Sequence, residues 1–457
     1  MKANILILVG QYRHLHFRCW ILLLILAASC CVTAAGETNC TVSQATFDAD
    51  WRNLEQHPNP SHLPLMGIRY VDLLRAQRGL ICSGVPLVAF DGLRYRPAAA
   101  WSDDPGLYLL VPELARLTGL NVADAADVLV ASSVVLAGLV GLWGFLKTAK
   151  TVAGRCIGMI AFLLMVVQVL RVGQVYALGV VPALACAPWI VFFALREQLT
   201  LGSIFTMIVS GLLAAIANAI RSHSGLALLI FAVVMILGVY RVRITTRFVT
   251  ALALLAGMAS AALVLHHIYD QRDEFLRHQP GALVENAGGH VFWHSVYIGF
   301  AFVGNSDVPA YRDDVAFDKA YQMRPDVTPY TPEYEQVMRD QVLNLARKKP
   351  ALVAGNVALK LVIIFLYCLI FINVGLYAAV IVPKEIAVES AFLLAIGMGA
   401  LPGILVVPVK PYILGGIVFC VIYAAFGVDY ALRNAENQER FRWVRQIMFM
   451  NPSFPES

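Results

Sequence analysis

The chain has 457 residues, 59% of them apolar and only 14% charged, with a formal net charge of +5. Soluble domains carry about a quarter of their residues as charges, so this composition excludes a water-soluble chain of such length and calls for lipid as solvent. No basic stripe with interleaved aromatics is present, which argues against a nucleic-acid partner, and the nine cysteines include no CxxC pair, so no zinc or thiol-redox motif is indicated.

Apolar runs approaching the roughly 20 residues that cross a hydrocarbon core fall at 19–35, 126–146, 153–171, 175–195, 200–220, 225–240, 248–268, 352–382, 386–407 and 411–431. The expected fold class is an all-α polytopic membrane protein of about ten transmembrane helices, forming a single integral membrane domain over 1–457. The first run has a basic start and small residues at 32–36, so it reads either as a retained span or as a cleaved signal peptide. Retention is favoured, and both readings deliver residue 36 to the outer face. The run 352–382 reads as one long or tilted helix.

Orientation follows from Lys and Arg in the short connections. Lys147, Lys150, Arg155, Arg196, Arg241, Arg243, Arg247, Lys384 and Arg433 fall on one side, against Arg171, Arg221 and Lys410 on the other. This places both termini in the cytoplasm, with the bacterial inner membrane the expected location. It also puts two long segments, 36–125 and 269–351, on the extracytoplasmic face.

The first outer segment begins with a Pro-rich stretch at 57–64. It continues into Leu107–Gly119, whose helical spacing of apolar residues predicts an amphipathic helix at the membrane surface. Cys40 and Cys82 share this segment, as a disulfide or as two thiols. The second contains 334–349, a helix with a Val337, Val342 and Leu345 stripe that Pro350 terminates.

Chemistry concentrates in these segments. In Trp101-Ser-Asp-Asp-Pro-Gly-Leu-Tyr108, the adjacent carboxylates of Asp103 and Asp104 stand ahead of the interfacial helix. They read either as caps or as groups that take a proton from an attacking hydroxyl. The order of these features is an outer loop with an acidic pair, an interfacial helix, a multi-span bundle, and a further outer loop before the late helices. In that order and in the piece Asp103–Ala115, the chain resembles the GT-C class of polyprenyl-phosphate-sugar-dependent glycosyltransferases. The resemblance implies a lipid-phosphate sugar donor, a glycan, lipid or protein acceptor, and Asp103 or Asp104 as general base or orienter of the acceptor hydroxyl.

A lipid phosphate in a partly desolvated site needs cations. Arg221 in the turn Arg-Ser-His-Ser-Gly, Arg171, Lys410 and the intramembrane Lys360 are the candidates, with His223 beside Arg221 as a substrate contact. Arg and Lys at helix ends also simply snorkel to headgroups. In the segment 288–302, His290 and His294 are four apart, a spacing that can place two imidazoles on one helical face, so a divalent metal stays open although no third ligand is evident. No other cofactor is indicated. Trp293 and Tyr297 read either as a headgroup-level belt or, with the two histidines, as substrate contacts that stack on a sugar. Alternative functions are a polymerase or ligase of lipid-linked surface polysaccharide and, less favoured, a transporter; the near absence of charge at mid-depth in the spans disfavours the last.

Overall fold

A computed structural model describes residues 67–98, 104–196, 199–239, 244–280, 282, 292–382 and 385–435. Nearly all of them are helical. In chain order, α1 (Gly67–Ser83) leads into a hairpin of β1 (Val88–Phe90) and β2 (Tyr95–Pro97). Then come α2 (Pro105–Thr118), α3 (Val122–Thr148), α4 (Val152–Val172), α5 (Gln174–Ala194), α6 (Leu201–Ile220), α7 (Leu226–Val234) and α8 (Ile244–His278). The second long segment supplies α9 (Phe292–Gly299), α10 (Asp313–Met323) and α11 (Pro332–Lys348). The chain returns to the bundle as α12 (Pro350–Ile381), α13 (Ile386–Leu405) and α14 (Lys410–Ala435).

Eight of these helices, α3–α6, α8 and α12–α14, are long and apolar enough to cross a membrane, and the chain is an integral multi-pass membrane protein. The run expected at 225–240 is a shorter apolar helix, Leu226–Gly238, that relaxes into a π-helical turn at Met235–Val239. The run expected at 19–35 lies outside the described residues. The long run after Pro350 is one continuous helix of 32 residues. The span expected at 248–268 is a 35-residue helix that carries on past the apolar stretch into the second loop.

Small residues let the spans meet backbone to backbone, as is usual where lipid removes the hydrophobic drive between helices. A Cβ on Gly211 of α6 would stand 2.0 Å from the carbonyl of Leu254 in α8, and one on Gly257 of α8 would stand 2.0 Å from that of Ile208. The α5 and α14 spans are the enclosed ones, with 83% and 72% of their apolar windows buried. By contrast, α12 and α4 bury 22% and 28% and present apolar side chains outward.

Two features mark the first long segment. The strands pair antiparallel, with Ala89 opposite Arg96, and lie against α1. Helix α2 is enclosed by its neighbours: Leu107, Tyr108, Val111 and Ala115 are buried, in contact with α1, α3 and α6. A Cβ on Gly106 would sit 2.9 Å from the Ile220 backbone nitrogen at the end of α6. Cys82, at the end of α1, is disulfide-bonded; Cys40, its expected partner, lies outside the described residues.

Candidate active site at the loop end of the bundle

Asp104 occupies the N-cap position of α2, with Pro105 opening the helix, where a missing N–H removes no intrahelical bond. An N-cap Asp ordinarily accepts a hydrogen bond from the second or third helical N–H. Asp104 forms no such cap bond. Its Oδ2 pairs with Arg69 Nε of α1 at 2.6 Å, and the carboxylate is fully buried while Arg69 is 24% exposed. A buried carboxylate is tolerable only when paired, and α1 supplies that pair. Burial pushes the Arg69 guanidinium down, and the Asp104 carboxylate together with Tyr108 and Tyr176 outweighs it, holding the group above its ordinary pKa. Asp103 lies outside the described residues.

Helix packing brings Arg221 to the same place. The contact of Gly106 with Ile220 sets the α6 end against α2. On its other side, a Cβ on Gly179 of α5 would be 2.6 Å from Ser224 Oγ. The turn between α6 and α7 is therefore clamped from two sides, and His223 within it holds a left-handed φ of 69°. That conformation is uncommon for a residue with a side chain and clusters at functional sites. The Arg221 guanidinium lies 5.1 Å from the ring centre of Tyr176, at the start of α5, and 5.9 Å from that of Tyr412, at the start of α14, both within cation–π range. The hydroxyls of Tyr412 and Tyr311 are 3.1 Å apart, which ties the second loop to this cluster. Burial raises the Tyr311 pKa above its ordinary value. Arg221 also lies close enough to Arg69 to oppose its charge.

Lys360 forms a second cationic position. It is 1% exposed, ten residues into α12, about 15 Å along the helix axis. Its Nζ stands 5.8 Å from the ring centre of Phe300, and among the described residues it forms no ion pair. One turn earlier, the buried Asn356 donates from Nδ2 to the Phe300 carbonyl at 3.0 Å, while its Oδ1 has no hydrogen-bond partner among the described residues. An intramembrane ammonium marks a functional position by default, and the adjacent oxygen calls for a donor beyond the described residues. Both groups lie against Phe300, next to Gly299, on which a Cβ would meet the Val406 carbonyl at the end of α13 at 2.6 Å.

The other expected cations are placed differently. Arg171 and Lys410 are exposed at helix ends, the setting in which such side chains reach headgroups. His223 is exposed on its turn. His294 is 3% exposed and belongs to the interior of the second loop, with Nδ1 2.5 Å from Tyr334 Oη and Nε2 3.1 Å from Asp313 Oδ1. The hydrogen bond to His294 holds the Asp313 carboxyl below its usual range, against the effect of burial. Its expected partner His290 is outside the described residues, and the helix carrying His294 begins only at Phe292. Among the described residues no three His, Cys, Asp or Glu side chains converge on a metal position. Tyr297 is buried beside His294, its hydroxyl donating to the Asp307 carbonyl at 3.1 Å; Trp293 is half-buried at the loop surface.

Sequence reasoning passed over Arg69, Tyr176, Tyr311 and Tyr412. Tyr176 and Tyr412 follow apolar-span starts, where tyrosine reads as an interfacial anchor, and nothing local joins Arg69 to an aspartate 35 positions later. Comparison of the chain with known protein families, with curated proteins and with solved structures returned no match.

Proposed function

We propose that the chain is a membrane glycosyltransferase of the GT-C kind. It moves a sugar from a polyprenyl-phosphate carrier to an acceptor on the extracytoplasmic side, its basic short turns facing the cytoplasm of a bacterial cell. The observation that carries this reading is the gathering of Arg69, Asp104 and Arg221 from three separate parts of the sequence at the loop end of the bundle. Two guanidiniums brought together repel, and an anionic phosphate shared between them converts that repulsion into binding. A phosphate at the lipid–water boundary suits this place because its lipid tail has the apolar spans for company.

In this reading Arg221, with Arg69 behind it, holds the donor phosphate. Lys360 and Asn356 offer a further ammonium and amide to the carrier. The acceptor hydroxyl attacks the anomeric carbon, the bond from that carbon to the phosphate oxygen breaks, and the phosphate departs with the electron pair. The hydroxyl proton passes to the Asp104 carboxylate. The phosphate is itself the leaving group, so no nucleotide cradle is required, and the chain contains no phosphate-binding Gly-rich loop of standard spacing.

The test is donor turnover by the full chain in lipid nanodiscs supplied with radiolabelled polyprenyl-phosphate sugars. Release of free polyprenyl phosphate is expected, with Arg221→Ala lowering it roughly 100-fold or more, as loss of one preorganised donor to a developing charge does. Absence of release from every monosaccharide donor, with consumption of a diphosphate-linked oligosaccharide instead, would replace this reading by the polysaccharide ligase. Turnover undiminished in Arg221→Ala would remove the assigned site.

A further inference from the structure

The second loop carries a cleft that the cluster around Asp104 does not use. It has a volume of about 570 Å³, within the range of small-molecule sites, and opens between the start of α9 and the start of α11. Phe292, Trp293 and Tyr330 line it together with Glu335, Gln336 and Arg339. Three flat apolar faces beside a carboxylate, an amide and a guanidinium form the chemistry that recognises a sugar ring. The rings cover the C–H faces of a pyranose, and the planar polar groups take its hydroxyls in pairs.

The arrangement is held in place before any ligand arrives. Glu335 Oε2 accepts the backbone N–H of Trp293 at 2.8 Å and Oε1 that of His294 at 3.2 Å. The carboxylate thereby closes the N-terminus of α9, where negative charge is favoured, and each oxygen keeps a lone pair for a hydroxyl. Phe292 and Trp293 meet edge to face, ring centres 5.0 Å apart. Tyr330 holds a φ of 65°, a left-handed backbone that is an outlier for a bulky residue and that persists where the surroundings enforce it, ligand clamps among them. Beneath it, the Tyr334, His294 and Phe317 rings pack at tilted angles into the loop core and support Tyr330 from behind. Such rigidity lowers the ordering entropy a ligand must overcome.

We infer that this cleft is the acceptor subsite, binding the glycan chain that receives the sugar and seating one of its pyranose rings against Trp293. The assignment rests on the glycosyltransferase reading for its role, though not for its ligand. Helix α9 joins the two places: Trp293 stands near its start, and Phe300, over which Lys360 lies, follows its end about 10 Å along the axis. In this assignment the growing end of an oligosaccharide held at the cleft runs along α9 towards Lys360. A lone monosaccharide does not span that interval, so the subsite selects a chain over a free sugar.

The experiment uses the full chain in nanodiscs and a panel of defined hexasaccharides, of gluco, manno, galacto and arabino type, titrated against intrinsic tryptophan fluorescence and by saturation-transfer NMR. At least one member is expected to bind saturably. Trp293→Ala should weaken it about tenfold or more, the loss expected of an aromatic anchor, and Gln336→Ala several-fold. Arg155→Ala, at the start of α4 and the opposite end of the bundle, should leave that binding unchanged. In a transfer assay Trp293→Ala should raise the acceptor KM with kcat retained. No binding by any panel member, or binding indifferent to both Trp293→Ala and Gln336→Ala, would overturn the subsite. Donor turnover proceeding normally in that case would leave the transferase reading standing alone. Conversely, glycan binding lost in Trp293→Ala in a chain that consumes no polyprenyl-phosphate sugar would keep the cleft and remove only its place in that reaction.

Discussion

The two ends of the bundle each bury an aspartate, and they treat it in opposite ways. At the end away from the long loops, Asp429 of α14 is 2% exposed. Its Oδ1 accepts from the Thr151 backbone at 3.0 Å, the Thr151 hydroxyl at 2.9 Å and the Lys150 backbone at 3.1 Å, and Oδ2 accepts from Arg433 at 2.7 Å. Every one of those donors belongs to the connection between α3 and α4 or to the same helix, so Asp429 works as a clasp. At the loop end, Asp104 sits where a helix cap would be expected, makes no cap bond, and faces a guanidinium from a different element with a second one behind it. A carboxylate consumed by backbone donors serves structure, whereas the one paired to a guanidinium is the group to which the proposed reaction gives the proton.

The sharpest way to break the contrast is to neutralise each carboxylate in turn. Asp104→Asn should cut transfer per folded molecule roughly 10²–10⁴-fold, the span of a lost general base, and, because it takes the carboxylate from Arg69, should also lower the melting temperature in detergent. Activity per folded molecule that stays near that of the parent would make Asp104 a second clasp. Asp429→Ala should cost stability alone. It strands Arg433 and the α3–α4 turn, so unfolding should become easier by about 3 kcal/mol, read by thermal or denaturant unfolding, with kcat per folded molecule preserved. A smaller effect is expected from Arg221→Lys. It keeps the charge and loses the fork that binds phosphate oxygens in pairs, so donor KM should rise roughly tenfold, about 1.4 kcal/mol, more than kcat falls.

The smallest effect concerns the second loop and acid. The folded pKa of Asp313 is depressed by His294. Its contribution is therefore present above the ordinary carboxylate pKa of about 3.9 and is lost as pH falls through the lower folded value. Asp313 is 65% exposed, so solvent screens the pair and the contribution is slight. Proteolysis of the second loop should increase modestly below about pH 4 and lose that pH dependence in Asp313→Asn; an unchanged profile in the variant would show that another group carries the acid response.

Part of the candidate site was legible along the chain and part was not. Arg221 and Lys360 announced themselves as ionisable groups at or inside an apolar span, where the surroundings alone make charge expensive. The acidic pair stood out by its place before a helix. The surroundings of His294 were not legible: the folding of α9 against α11 puts it into an aromatic interior beside Tyr334. Arg69 carried no signal of its own: an arginine in a polar helix is ordinary until its partner is known.

What the sequence determined by itself is the partition of the chain. Span length, the stop at Pro350, the helix over α11 and the enrichment of Lys and Arg in one set of short turns are set by local hydrophobicity and charge, which act on a segment whatever its neighbours. The tertiary structure alone decided which polar groups meet. That Arg69 reaches Asp104, that the α6–α7 turn is clamped between Gly106 and Gly179, and that Trp293 and Tyr330 face one cleft are consequences of close packing between elements distant in sequence. Such contacts depend on shape complementarity among several helices at once, and no local pattern encodes it.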